Sequence, residues 1–441
     1  MLSPLADRTY RHLFGAQILS LIGTGLMTVA LGLLAFDLAG ADAGAVLGTA
    51  LALKMVAYVG IAPVAGAFVH LVPRRALLVA LDLVRAAVAL ALPFVAEIWQ
   101  VYLLIGLLQS CSAAFTPTFQ ATIPDVLPDE ADYTRALSLS RLAYDMEALT
   151  SPMLAAALLS VIGFHWLFAG TTLGFIASAA LVVSVALPSP KPPSTAESAW
   201  GRTTRGARLY LATPRLRGLL ALNLAVAAAG AMVIVNSVVL VKAGLGLGAG
   251  ELAWTLAAYG FGSMVAALAL PRVLERLGDR PVMLAGAAIL VAGLLAGPLA
   301  MRDWGVVLPL WMLLGLGNGL VLTPSGRLLR RSSEAGDRPA LFAAQFALSH
   351  ACWLIAYPLA GWLGAAAGLA PTFLTLAAMA TAGTWLAIRL WPAADEHGVP
   401  HDHHGLPADH PHLAGAQPMP GGGFRHAHAP VADPLHTMRG G

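Results

Sequence analysis

Twelve apolar runs, each near the ~20 residues that cross about 30 Å of hydrocarbon as a helix, recur along this 441-residue chain. They lie near 12–36, 43–70, 76–96, 99–120, 136–162, 165–187, 216–241, 250–271, 281–300, 304–326, 340–363 and 371–391. In lipid, backbone N–H and C=O groups have no water to bond, so runs of this length close their hydrogen bonds within helices. With 58% hydrophobic and 11% charged residues, against about 25% charged in soluble chains, the expected fold class is an all-α integral membrane protein with twelve transmembrane helices. The first run has no small-residue cleavage site and reads as a retained span. A net charge of +3, divided among loops, gives no footprint for nucleic acid. Cys111 and Cys352 lie inside apolar runs and read as packing residues rather than a disulfide framework.

Basic residues set the expected orientation, because short loops rich in Lys and Arg stay on the cytoplasmic side. Arg8 and Arg11, Arg74 and Arg75, Arg202 to Arg217, Arg272 to Arg280, and Arg327 to Arg338 all fall in alternate loops or termini, while the opposite loops hold Lys242 and Arg302. Both termini are therefore expected in the cytoplasm. Residues 188–215 carry Pro188, Pro190, Pro192 and Pro193 and then a basic segment, as expected of a linker between halves at 1–187 and 216–391.

An internal repeat supports that division. Thr116-Pro117-Thr118 matches Thr323-Pro324-Ser325 at an offset of 207, Pro152 matches Pro358 at 206, and His70 to Arg75 matches Glu275 to Arg280 at 205. Two halves of parallel topology imply a substrate site between them near the bilayer midplane.

On these residues the chain resembles the major facilitator superfamily, whose loop between its second and third helices carries Gly, an acid, Arg, Gly and paired basic residues. Glu275, Arg276, Gly278 and Arg280 keep that pattern in the second half; the first keeps Gly66, Arg74 and Arg75 but has His70, Leu71 and Pro73 at the acid, Arg and Gly. The resemblance implies gating roles for these loops. Asp82-Leu83-Val84-Arg85, followed by Phe115 to Pro152, is similar to the branch containing siderophore exporters and multidrug pumps. Asp82 and Arg85, three apart, also read as an intrahelical pair that holds the loop.

Nine of the thirteen histidines fall in the last 45 residues. Joined to that body, the tail at 392–441 resembles the bacterial nickel-resistance permeases of the NreB type, which implies efflux of Ni²⁺, with Co²⁺ as a further cargo. Independently, His401, His403, His404, His410, His412, His426, His428 and His436 supply imidazoles suited to borderline divalent ions, with Asp402 and Asp409 nearby. Pro and Gly throughout the tail argue for disorder. A biased solvated terminus without a role is the bland alternative.

Translocation belongs to the spans, where an ionisable residue costs at least ~2.5 kcal/mol at mid-membrane. In span five, Ser138, Arg141 and Asp145 form one helical stripe and Tyr144, Glu147, Thr150 and Ser151 another. Arg141 can neutralise Asp145, which leaves Glu147 as the candidate for binding cation or proton. Adding 206 carries Tyr144, Glu147 and Ser151 onto His350, Trp353 and Tyr357, so Glu147 and His350 are expected to face one another across the cavity. A lone histidine in an apolar helix is more often a hydrogen-bonded packing residue. Lys54 in span two needs an acid, either Asp37 or a span-five carboxylate. Asn318, Asn223, Asn236, Gln17 and Gln109 are neutral candidates that interhelical hydrogen bonding explains equally well.

The expected activity is therefore export of a divalent cation by proton antiport from the bacterial inner membrane, by a monomer in the lipid bilayer with no resident cofactor. Export of an organic molecule, metal chelate or siderophore is the rival. Without a P-loop or a nucleophile cluster outside the spans, no enzyme is expected.

Overall fold

A computed structural model describes residues 3–68, 72–187, 199–332, 338–393, 399–403, 417–419 and 423–428. The first half comprises α1 Arg8–Ala39, α2 Ala43–Phe68, α3 Arg74–Ala91, α4 Ile98–Val126, α5 Glu130–Leu159 and α6 His165–Val183. After α7 Ala199–Ala212, the second comprises α8 Pro214–Val238, α9 Ala249–Arg276, α10 Asp279–Ala300, α11 Trp304–Leu322, α12 Ser325–Arg331, α13 Arg338–Ala367 and α14 Leu369–Leu390. Ten stretches are long and apolar enough to cross a bilayer, one running through α1 and α2 and another through α11 and α12. The twelfth long helix, α5, falls short because it carries Glu130, Asp132, Arg135, Arg141, Asp145 and Glu147.

Three expected boundaries move for local reasons. Pro324 lacks a backbone N–H and separates α11 from α12, whereas Pro117 sits inside an unbroken α4. The basic part of the linker is helical as α7, and Pro214 opens α8 at the first helical position, where its missing N–H costs nothing. Asp129 caps α5 by accepting from the Asp132 N–H at 2.9 Å, so this span begins six residues earlier than its apolar run.

The duplication is visible in the packing. α1 packs on α6 and α5, α2 on α4, and α3 on α4 and α6; the same relations join α8 to α14 and α13, α9 to α11, and α10 to α11 and α14. The halves meet where α2 packs on α13 and α5 on α9, two contacts that exchange under a twofold axis.

At one end of the bundle that junction closes tightly. A Cβ on Gly48 would stand 2.6 Å from Tyr357 O and 3.0 Å from Gly361 Cα, and one on Gly44 would stand 2.8 Å from Asn236 Oδ1. Across the same junction Trp362 Nε1 donates to Thr49 Oγ1 at 3.0 Å, while Asn236 Nδ2 donates to Ala360 O at 3.0 Å within the second half. Small residues let these backbones approach, as membrane helices require when no hydrophobic force drives them together. Beyond α8 the backbone widens into a π-turn, Val239–Gly244, whose Lys242 Nζ lies 3.8 Å from Asp37 Oδ1. Asp37 is thus the partner of Lys242 and not of Lys54.

In the tail, where Pro and Gly argue against regular structure, three short strands pair: β1 Val399–His403, β2 Gln417–Pro418 and β3 Phe424–His428, in the antiparallel order β1-β3-β2. His401 stands opposite His426 in the β1–β3 register. His428 lies on β3 and His403 on β1. His404, His410, His412 and His436 lie outside the described residues.

Candidate transport site

Glu147 sits near the middle of α5, against Gly25 of α1. A Cβ on Gly25 would overlap Ser151 and stand 2.7 Å from Glu147 Oε1, so the glycine's missing side chain is the space that the carboxylate and hydroxyl use. Ser151 lies beside the carboxylate, and its buried Oγ has no hydrogen bond of ordinary geometry among the described residues. The opposite charge comes from α2, where Lys54 stands within electrostatic reach of Glu147 without a direct ion pair to it among the described residues. A buried charge is tolerable when such a partner accompanies it.

One turn further along α2, Tyr58 extends the site to the other half. Lys54 Nζ lies 5.7 Å from the Tyr58 ring centroid, within cation–π range. That ring also stacks in parallel on His350 of α13, 5.3 Å between centroids and 6° between planes, and lies 5.5 Å from the Phe346 ring. Phe346 flanks His350 at 4.0 Å, and His350 Nδ1 donates to Phe346 O at 2.6 Å, which leaves Nε2 as the nitrogen with a free lone pair. Lys54 and Tyr58 thus lead from the neighbourhood of Glu147 toward His350.

The equivalent place in the second half is aromatic. Trp353 fills the space left by Gly230 on α8, stands 5.0 Å from Tyr357, and Tyr357 in turn neighbours Tyr259 of α9. Gly25, Lys54 and Tyr58 were not all visible as a group from composition. The spacing of Lys54 and Tyr58, four apart on one helix, and the offset of 205 from Gly25 to Gly230 are the signals that would have found them.

Other candidates fall elsewhere. Arg141 and Asp145 lie on α5, with side chains outside those described. Asn318 is on α11, which packs on α9, α10 and α8. Asn223 Nδ2 donates to Leu219 O of its own helix at 2.9 Å, and Gln17 Oε1 accepts from Ser140 at 3.0 Å. Cys352 is buried and packs, with Sγ 3.9 Å from Leu220 O. Asp82 and Arg85 form the i,i+3 pair; Ser178 Oγ donates to Asp82 at 2.7 Å, and Arg85 lies between Phe115 and Phe175 at 4.2 and 4.5 Å.

The loop residues at the arginine-rich end brace each half internally. Arg74 pairs with Asp125, and Asp279 with Arg331 at 2.9 Å and Arg327 at 3.2 Å. Arg75 donates to Val183 O at the end of α6, and Arg280 Nε to Trp391 O at the end of α14, 2.7 Å away. Those carbonyls are orphans of their helix C-termini, where a guanidinium also meets the dipole favourably. Gly278 caps α10, Arg276 is exposed, and the Glu275 side chain lies outside those described.

Residues 1–326 match the family model described as transmembrane secretion effector. Among solved structures, the chain is similar to a bacterial homologue of the human lysosomal transporter Spinster in its inward-facing, unoccupied conformation. That match has 13% identity, covers 88% of this chain and 98% of that one, and has a TM-score of 0.68. It is also similar to the nucleoside transporter NupG, at 13% identity, 87% and 98% coverage and a TM-score of 0.64. A POT family transporter in complex with 5-aminolevulinic acid matches at 13% identity, 88% and 96% coverage and a TM-score of 0.63. These likenesses show a shared fold. No curated protein sequence matches significantly.

Proposed function

The chain belongs to the transmembrane secretion effector family of the major facilitator superfamily, and from that premise we propose that it is a proton-coupled exporter whose coupling site is the Glu147–Lys54 pair. The observation that carries this reading is the Glu147 carboxylate seated in the space above Gly25 of α1, with Lys54 on α2 placing its Nζ 5.7 Å from the Tyr58 ring that stacks on His350 of α13. In the bacterial inner membrane, with both termini cytoplasmic, an inward-open cavity takes cargo beside ionised Glu147. Rocking of the halves exposes it outside, where a proton competes for the carboxylate and releases the cargo.

The walls favour an organic molecule or a metal chelate over a bare divalent ion. Tyr58 on α2 and Phe346, Trp353 and Tyr357 on α13 bring rings to the helices where the halves meet, and the Lys54 ammonium repels a dication approaching Glu147. Among the described residues no three metal-ligating groups converge. The histidine tail favours a second reading, Ni²⁺ export with the tail collecting metal at the cytoplasmic mouth. Everted vesicles under an imposed proton gradient separate the two: ⁶³Ni, ⁶⁵Zn and a fluorescent organic amine are offered to the wild type and to Glu147→Gln. Gradient-driven uptake of the amine alone, lost in Glu147→Gln, supports the first reading; uptake of ⁶³Ni supports the second. Uptake that persists unchanged in Glu147→Gln removes Glu147 from the coupling site.

A further inference from the structure

The end of the bundle away from the arginines is closed by a tight seam, and one polar atom inside that seam lacks a partner. Asn236 of α8 is fully buried. Its amide nitrogen donates to Ala360 O at 3.0 Å and approaches Met232 Sδ at 3.6 Å, whereas its Oδ1, also buried, accepts no hydrogen bond among the described residues. That oxygen lies between glycines of the two halves: a Cβ on Gly44 of α2 would stand 2.8 Å from it, and one on Gly364 of α13 would stand 2.9 Å away. The hydrogen that each glycine carries in place of a Cβ therefore points at the oxygen, and a C–H group is a weak donor. At the equivalent position in the first half, an offset of 205 that also joins Asp37 to Lys242, the chain has Leu31. The fold thus accommodates an apolar side chain there, and the second half has an amide instead.

A buried acceptor without a donor destabilises whichever state buries it. Here that state is the closed seam, because the approach of α2 to α8 and α13 is what shuts Oδ1 away from water. The rim adds little to hold the seam shut. Lys242 and Asp37 stand 3.8 Å apart with side chains 21% and 45% exposed, so solvent screens their attraction. Just beyond Asn236 the backbone also leaves α-helical geometry in the π-turn Val239–Gly244, a local widening that recurs where proteins act rather than where they merely pack. From these contacts, and on the reading of the chain as a carrier, we infer that Asn236 is the release element of the seam: its sealed oxygen makes the closed junction less stable than an apolar one, and separation of α2 from α8 and α13 returns that oxygen to water. Asn236 thereby sets the balance between the two states of the carrier. An apolar residue in its place holds the seam shut and slows the cycle.

Double electron–electron resonance on the full chain in lipid nanodiscs reads that balance without requiring transport. Spin labels at Ala41 and Ala366, both exposed and on opposite sides of the seam, report a short distance when it is closed and a long one when it is open, in a background of Cys111→Ala and Cys352→Ala. Asn236→Leu keeps the branched shape and Asn236→Ala cannot overpack; each should raise the ratio of short to long distances about tenfold. Asn236→Asp, which puts a charge in the seam, should lower it. In an Asp37→Asn chain, which lacks the rim ion pair and rests further open, Asn236→Ala should move the population back toward the short distance. The sign is decisive, because truncating a residue that merely supported the seam would open it. Melting temperature and gel filtration verify folding. An unchanged or lower ratio in folded Asn236→Ala, in both backgrounds, overturns the inference. The expected shift in a chain that moves neither ⁶³Ni nor the organic amine under a proton gradient would instead defeat the carrier reading and leave the release element standing.

Discussion

Arg74 and Asp279 occupy the same position in the two halves and carry opposite charges, and each is held by its opposite at the far end of the next span. Arg74 meets Asp125, and Asp279 meets Arg331 at 2.9 Å; Asp125 and Arg331 are themselves 206 residues apart. The same brace between consecutive spans has been built twice with reversed polarity. What both halves retain is the attraction, and the sign at each end is free to change.

Reversal should then be tolerated in the first half as well. Arg74→Asp alone places a second acid beside Asp125 at a buried position, 7% exposed, and should destabilise the protein by about 3–5 kcal/mol. Adding Asp125→Arg recreates the arrangement that Asp279 and Arg331 already use, and should recover most of the lost melting temperature in detergent. A double variant no more stable than the single one would show that the brace depends on more than the charge pair.

Gly25 is a positioning residue for Glu147, and its replacement by Ala measures how tightly α1 must approach α5. The added Cβ would overlap Ser151 and crowd Glu147 Oε1 at 2.7 Å, so the helices must separate or the carboxylate must turn away. Gradient-driven uptake in vesicles should fall roughly tenfold, since small displacements of a reacting group are costly. Ser151→Gly in the same chain removes the overlapping atoms and should restore much of the rate. If Gly25→Ala transports normally, the space above Gly25 does not place the carboxylate.

The architecture was legible because its signal is repeated and coarse. Twelve apolar runs, the basic loops and three offsets near 206 require neither side-chain geometry nor exact ends, and even the pairing of Glu147 with Trp353 follows from addition. What the sequence hides is which partner a lone charge takes across helices. Lys54 is nearer in sequence to Asp37 than to Glu147, yet Asp37 turns to Lys242, its own counterpart at an offset of 205, because the π-turn brings that ammonium to 3.8 Å. The loop motif was similarly ambiguous. Arg75 and Arg280 fit a gating pattern, and in the structure they also satisfy carbonyls at the ends of α6 and α14, a need invisible until the helices are packed. Tyr58 went unnoticed because an aromatic in an apolar span has no distinguishing mark; its stack on His350 gives it a role.

Where the carrier ends and the tail begins decides how the histidines should be tested. Trp391 is 1% exposed, its side chain fills the space above Gly218, and its carbonyl accepts from Arg280 at 2.7 Å, so it belongs to the bundle although it follows the last helix. A chain ending at Ala393 should therefore melt as the full chain does, while one ending at Leu390 loses a buried indole and a guanidinium partner, at a cost of about 3–5 kcal/mol. The longer truncation removes every histidine beyond residue 393 and leaves Glu147, Lys54, Tyr58 and His350 in place. Its ⁶³Ni binding in equilibrium dialysis should fall by most of the wild-type stoichiometry, since interspersed imidazoles are the chain's densest ligands for a borderline ion. Transport at saturating cargo should stay the same, because a tether changes local concentration and not the rate of the occupied carrier. At low Ni²⁺, uptake should decline several-fold if the metal is cargo and remain unchanged if the cargo is an organic cation. Loss of transport at saturation, with the melting temperature intact, would mean that the tail acts within the transport cycle rather than at its entrance.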